Sequence, residues 1–395
     1  MKCNHSFSAA DILLPKADFE NWAVIACDQY TSEPEYWDEV KSAAGDKPSA
    51  LNIVLPEVYL SNDNSKQIEK INKNMIDYIS GDIFNTYPDS LVYVERIQSD
   101  GKCRRGIVGK IDRECYDYRS GTDAEIRATE QTVLSRIPPR VEIRKNAPLE
   151  LPHVMLLFDD AKDEIFSYLK TNIDNFKKVY DFTLMCNAGS IKGYLLNDDA
   201  KHKVSSILQD LKENNDGFLF CVGDGNHSLA TAKECYNQNP TKASRYALTE
   251  IVNIHDTALE FEPIYRVVFG VEPEALIDEF VKTVGEGDQK FTCVYGDTVK
   301  EIGVNPTAKL AVGTLQTFLD EYVKNHPDAE IDYIHGEESL KKLATRDNAV
   351  GFIFDGMQKS ELFEAVNADG SLPRKTFSMG HADDKRFYVE ARKIK

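Results

Sequence analysis

Apolar positions along this chain recur in two rhythms, a helical one and an alternating extended one, and the segments they mark interleave over its whole length. Residues 22–28, WAVIACD, read as a buried strand, and TSEPEYWDEVKSA as a helix capped by Thr31 or Ser32 with Pro34 in its first turn. NIVLPEVYL reads as extended. In NDNSKQIEKINKNMIDYISGD the residues Ile68, Ile71, Met75 and Ile79 share one helical face, and Gly81 ends the helix. SLVYVERIQSDGKCRRGIVGKID is two extended runs around the hairpin signal Ser99-Asp100-Gly101-Lys102. A helix is predicted over 122–136, halted by Pro138-Pro139, and KNAPLELPH forms a seam between a domain over 1–146 and a second over 147–395. Beyond the seam strands and helices alternate: PHVMLLFDD, DEIFSYLKTNIDNF, a strand near 180–186, SIKGYLL and DDAKHKVSSILQDLKENN. RYALTEIVNIHD, EPIYRVVFG, PEALIDEFVKTVG, KFTCVYG, TLQTFLDEYVKNH and AVGFIFD continue the alternation to a closing RFYVEARKI. The pattern predicts an α/β protein of mixed α+β type, a mixed sheet with flanking helices.

One junction carries unusual chemistry. In GFLFCVGDGNHSLATAKECY an apolar strand runs into Gly223-Asp224-Gly225-Asn226-His227-Ser228, and an alanine-rich helix starts at once. The first turn of such a helix offers backbone donors and the positive end of its dipole, so an anion is the natural ligand. Gly223 and Gly225 would allow close backbone approach, Asp224 would take a proton or hold Mg²⁺, and His227 would donate to phosphate. An ordinary turn capped by Asp224 or Asn226 explains the same residues equally well. Neither familiar phosphate-loop spacing is present.

Composition narrows the partners. The 395 residues carry 65 acidic against 47 basic side chains, a net charge of −18, which disfavours nucleic acid and anionic lipid as partners. The start, MKCNHSFSAADILLPK, lacks the apolar core of a secretory signal, and no apolar run is long enough to span a membrane, so a soluble cytoplasmic protein is expected. Eight cysteines without C-x-x-C spacing read as reduced thiols rather than a zinc site. Nothing in the sequence indicates an oligomer.

Several segments, taken in order, resemble one family. The 223–228 stretch resembles the D-G-H-H-R motif of a bacterial and archaeal domain-of-unknown-function family, number one thousand and fifteen. That motif is similar to the strand–loop–helix of the ParB/sulfiredoxin-like fold, whose members include free-serine kinases. Glu130-Gln131-Thr132 resembles the family's H-E-x-T, and Val252-Asn253-Ile254-His255-Asp256 its N-x-H-D. Pro263-Ile264-Tyr265-Arg266 resembles P-T-H-R, and Leu372-Pro373-Arg374-Lys375-Thr376 resembles M-P-x-K-S-T. This chain departs from the pattern at Thr129, Asn226 and Tyr265, where the family has histidine, and at Ser228, where it has arginine. Serine does not replace the charge of a bidentate phosphate ligand, so Lys233, Arg266 or Lys375 must supply the cation if nucleotide binds.

The resemblance implies phosphoryl transfer from ATP or ADP, with Mg²⁺, to the hydroxyl of a small polar metabolite such as serine. Asp224, His227 and Glu130 are then the catalytic candidates, and Asp224 also the metal ligand. Gly223, Gly225, Asn226, Ser228, Arg266, Lys375 and Thr376 are the nucleotide-binding candidates. Two other readings stay open. One is a metal-dependent phosphohydrolase using Asp224, His227 and His255-Asp256; the other is a non-catalytic ligand sensor or partner-binding protein on a ParB-like scaffold. Arg127 and Arg136 near Glu130 read as phosphate-binding cations or as an exposed salt-bridged face. Asp28, at a strand end, reads as a crevice residue or a cap, and His381-Ala382-Asp383-Asp384 as a surface turn.

Overall fold

The computed structural model describes residues 6–60, 63–132 and 137–395, and divides into two compact units. The first contains the chain up to Ala128, then Thr132–Leu259 and His381–Lys395; the second contains Thr129–Gln131 and Glu260–Gly380. The mixed α/β class holds in the plain sense: sheets with parallel and antiparallel pairs, flanked by helices. No helix among the described residues is long and apolar enough to cross a membrane.

The sheet of the first unit has ten strands among the described residues. From one edge it runs Lys177–Thr183, Ser190–Leu195, Val92–Ile97, Cys103–Asp112, Tyr246–Asn253, Met155–Phe158, Phe220–Asp224, Ile126–Ala128 and Tyr116–Asp117, with Phe7–Ser8 joined to Cys103–Asp112. Strands from both sides of residue 146 therefore share it. The expected hairpin is present, with Ile97 opposite Cys103. Met155–Phe158 is parallel to Tyr246–Asn253 and antiparallel to Phe220–Asp224. Alternation along the strands buries both faces. Val92, Val94 and Val108 pack with Trp22 and Trp37, whereas Tyr93, Ile107, Leu156 and Phe220 pack with the helices Glu164–Thr171 and Asp198–Asn214.

Five local readings are corrected. The segment expected to be helical over 122–136 contains the strand Ile126–Ala128, held by parallel pairing to Phe220–Asp224; residues 133–136, Arg136 among them, lie outside the described residues. Pro138-Pro139 opens the helix Ile137–Arg144 instead of stopping one, because the first turn needs no amide donors. NIVLPEVYL forms two 3₁₀ turns, Ala50–Ile53 and Glu57–Tyr59, and the helix Pro34–Ala44 has Glu33 at its N-cap. Six cysteines are free, but Cys115 is disulfide-bonded, a pairing set by proximity in space and so invisible in sequence spacing; Cys3 lies outside the described residues.

The last fifteen residues return to the first unit and are tied in by backbone and charge. Phe387–Tyr388 pairs with Val24–Ile25, and Arg392–Lys393 with Leu149–Glu150. Arg386, 1% exposed, donates to Glu250 and to Glu390 at 2.5 Å each, and the Tyr180 hydroxyl donates to Glu390. Glu150 is buried among Arg113, Arg144 and Arg392, with Arg392 at 2.6 Å. Burial alone would raise its pKa, but the three guanidinium groups outweigh that and hold it at about 2, against 4.5 for a free glutamate.

The second unit is an antiparallel sheet in the order Thr298–Val304, Glu286–Tyr295, Ala349–Ile353, Phe261–Phe269 and Glu330–His335, with Phe377–Met379 paired to the start of Phe261–Phe269. Phe280, on the helix Pro273–Val284, packs against Phe291, Phe318 and Phe352 to form its core.

A carboxylate whose folded pKa lies below its unfolded one stabilises the fold fully above the unfolded value and loses that contribution as pH falls through the folded one. For Glu150 the contribution is about 3 kcal/mol, lost between about pH 5 and pH 2. Urea titrations across that range should show the wild type losing about 3 kcal/mol more than Glu150→Gln. Parallel curves for the two proteins would contradict the assignment.

Candidate functional site

The glycine corner forms where the buried strand Phe220–Asp224 meets the helix Asn226–Gln238. Gly225 turns the chain with φ 79° and ψ 27°, the left-handed region in which a side chain is strained, and it is the N-cap. That residue has no side chain to cap the first turn. Asp224 instead uses one carboxylate oxygen to accept the N–H of Gly225 at 2.8 Å, so the expected cap by Asp224 or Asn226 is replaced by a brace on the turn itself. Gly223, Asp224, Asn226, His227 and Ser228 are all half-buried, and Leu229 and Ala230 behind them are buried.

The glycines have packing reasons beside any ligand. A Cβ on Gly223 would stand 2.8 Å from Cγ of Leu157 on the neighbouring strand. On Gly225 it would meet Cα of Val154 at 3.1 Å and Cδ2 of His153 at 3.2 Å. One flank of the corner is therefore closed by the segment leading into Met155–Phe158.

The other flank is built by residues that the sequence reading missed. Lys385 stands 3.4 Å from the second carboxylate oxygen of Asp224, and both side chains are less than one-fifth exposed. This cation comes from the returning C-terminal segment. Lys233, expected as a nucleotide-binding cation, donates to the carbonyl of Arg113 at 2.6 Å instead. The same segment brings Tyr388, whose hydroxyl lies 2.8 Å from Nδ1 of His153 and 3.2 Å from Sγ of Cys27. Desolvation pushes the Cys27 thiol up to about 12, so it keeps its proton. No sequence signal marks this set, since it joins three distant parts of the chain, Cys27, His153 and the segment of Lys385 and Tyr388.

The pair His255-Asp256 lies elsewhere. Met155 is opposite Asp224, whereas Phe158, at the other end of the same strand, is opposite Asn253. About 10 Å of strand separates the two ends. His255 pairs with Asp159 at 2.6 Å, and Asp256 accepts from the backbone and Nε of Arg105 at 3.2 and 3.1 Å. Asp224 and His255-Asp256 do not share a site, which removes the set on which the phosphohydrolase reading relied. No group of three or more metal-binding side chains occurs among the described residues.

The remaining candidates belong to the second unit. Glu130 is half-buried and bridges to Leu372. Arg266 is fully buried: it donates to Gln316 at 2.6 Å and to the carbonyls of Ile264 and Arg374 at 2.5 and 3.3 Å, and it stacks on Tyr333. Desolvation lowers its pKa to about 10, although Tyr333, Glu130 and Asp320 oppose the shift. Its donors serve the fold. Lys375 and Arg374 are exposed, and both lie against the Tyr333 ring. Thr376 is buried and donates to the carbonyl of Pro373 at 2.7 Å, and Tyr265 packs on Phe354. Arg127, in the first unit, is a strand residue stacked on Phe218 at 4.0 Å.

Residues 8–393 match the family described as a protein of unknown function, DUF1015. The chain belongs to this family. Among solved structures this DUF1015 protein is similar to a free serine kinase variant in complex with ADP, at 13% identity over 72% of this chain and 91% of that one, with a TM-score of 0.41. A conserved hypothetical protein from Pyrococcus furiosus gives 13% identity, 72% and 94% coverage and a TM-score of 0.38. C-terminally truncated SbnI from Staphylococcus aureus gives 11%, 69%, 82% and 0.36. Likeness at this level says nothing of the DUF1015 protein's chemistry. No curated protein matches the chain.

The packing reason for Gly223 has a direct check. Gly223→Ala should cost about 1–3 kcal/mol in chemical denaturation, and adding Leu157→Ala should make the glycine substitution nearly neutral. Strict additivity of the two would show that Leu157 is not what excludes the side chain.

Proposed function

We propose that the corner at 223–228 receives a phosphate of a nucleotide, and that the chain moves a phosphoryl group from ATP or ADP to the hydroxyl of a small polar metabolite, a serine-like amino acid being one instance. The observation that carries this reading is Lys385 beside Asp224 at the glycine-turned start of a helix. A cation, a carboxylate and the positive end of a helix dipole meet there, the combination needed to hold phosphate and to handle a proton.

In the transfer, the substrate oxygen attacks the terminal phosphorus and the bond from phosphorus to the leaving phosphate oxygen breaks. The hydroxyl proton passes to the carboxylate of Asp224. Lys385 and the amides of the helix start offset the charge that builds on the transferred group, and His227 and Ser228 donate to phosphate oxygens. Asp224 would be the protein ligand for Mg²⁺, which would supply further positive charge to the phosphates. Arg266 drops out of the phosphate set because its donors are engaged within the second unit.

A second reading, a nucleotide sensor without turnover, is favoured by one observation: both oxygens of Asp224 already have partners, Gly225 and Lys385. One experiment separates the two. Titration calorimetry with ATP and ADP in the presence of Mg²⁺ should show binding, weakened about tenfold or more by Lys385→Ala. A coupled transfer assay over amino acids and other small hydroxyl compounds should show turnover, reduced about a hundredfold or more by Asp224→Asn. Binding without turnover on any substrate supports the sensor; no binding of either nucleotide ends both readings.

A further inference from the structure

His153 lies against the glycine corner from outside it. The Cδ2 edge of the ring faces Gly225, where an added Cβ would stand 3.2 Å from Cδ2. Nδ1, on the opposite side of the ring, is 2.8 Å from the hydroxyl of Tyr388. Nε2, bonded to Cδ2, is therefore on the corner's side. The ring itself is half-buried, so one part of it remains open to a ligand.

Tyr388 determines where the protons are. Its hydroxyl is buried and has three neighbours: the backbone N–H of Cys27 at 3.1 Å, Sγ of Cys27 at 3.2 Å and Nδ1 of His153 at 2.8 Å. A phenol has one proton to give and two lone pairs to offer. The amide can only donate. Of the two other neighbours, an imidazole nitrogen is a far stronger acceptor than a thiol sulfur and stands closer, so the phenol proton goes to Nδ1. Sγ of Cys27, the weaker and more distant acceptor, is left as a close neighbour of the hydroxyl at 3.2 Å. With the phenol proton directed at Nδ1, a ring that carries one proton carries it on Nε2, the side turned to the corner.

We infer that His153 is a ligand-contacting residue of the corner, donating from Nε2 to a phosphate oxygen, and that Tyr388 and Cys27 are positioning residues that hold the ring in the required tautomer. This rests on the reading of the corner as a phosphate site and adds a donor from outside the loop, on the flank where Gly225 leaves room for the ring. The arrangement is that of a histidine oriented through its second nitrogen, as in catalytic and metal sites, with a phenol in place of the usual carboxylate.

The test uses the full chain with ADP and Mg²⁺ as the probe. Nitrogen-15 spectra of the wild-type histidine rings should show His153 with Nδ1 as acceptor and Nε2 protonated, and ADP should shift the Nε2 signal. Tyr388→Phe, checked for an intact melting transition, should mix the tautomers and weaken ADP binding severalfold. His153→Ala should weaken binding about tenfold, with His153→Gln recovering part of the loss through its amide donor. If Lys385→Ala weakens ADP binding and His153→Ala does not, the inference fails while the phosphate site stands. A wild-type Nδ1 that carries the proton overturns the inference without any variant. If the wild type binds no ADP, the phosphate site and the inference fall together.

Discussion

Arg386 is the constraint on which the first unit depends. Its guanidinium is buried between Glu250, from the middle of the large sheet, and Glu390, four residues further along the same C-terminal segment. An isolated buried charge of this kind would cost several kcal/mol, so the three groups stand or fall as a set. Their mutual attraction pins the returning segment at one place on the sheet. The neighbours of Arg386 in sequence then have no freedom: Lys385 falls beside Asp224, and Tyr388 beside His153. Glu150 with Arg113, Arg144 and Arg392 anchors the same segment a few residues on, so it is held by charge at two points. Site geometry here is inherited from buried electrostatics.

The glycine corner shows how one local feature serves two demands. Leu157 and Val154 leave no room for side chains at 223 and 225, and the left-handed turn at 225 would strain one in any case. At these two positions the corner is backbone alone, packed against the strand Met155–Phe158 and the residues before it. Asp224 then spends one oxygen on bracing the turn and pairs the other with Lys385, so the carboxylate ties the loop both to itself and to the C-terminal segment.

Much of this was legible in the chain, for identifiable reasons. The helix Ser65–Ser80 and the hairpin of Val92–Ile97 with Cys103–Asp112 declare themselves through regular apolar spacing and a Ser-Asp-Gly-Lys turn. Phe220–Asp224 followed by Asn226–Gln238 was equally plain. Ile126–Ala128 was not, because three residues rich in charge nearby carry no extended rhythm and owe their form to pairing with Phe220–Asp224. Glu330–His335 and the helix Glu337–Ala344 escaped notice for a similar reason: an edge strand and a half-exposed helix need few apolar residues. Of the corner's chemistry, the loop residues were visible as a cluster. Lys385, Tyr388 and His153 were not, since a salt bridge over 161 positions or a hydrogen bond over 235 leaves no trace in local pattern.

The interruption of the first unit by Glu260–Gly380 has a bearing on biosynthesis. A nascent chain emerging from the ribosome exposes the large sheet's strands well before His381–Lys395 exists to pair with them. Until then Glu250 and Glu150 lie without their arginines from that segment, and the groove edges formed by Leu13, Val24–Ile25 and Leu149–Glu150 lack their partner strands. Completion of this unit thus waits for that segment, and the intervening unit has the whole of that delay in which to fold on its own.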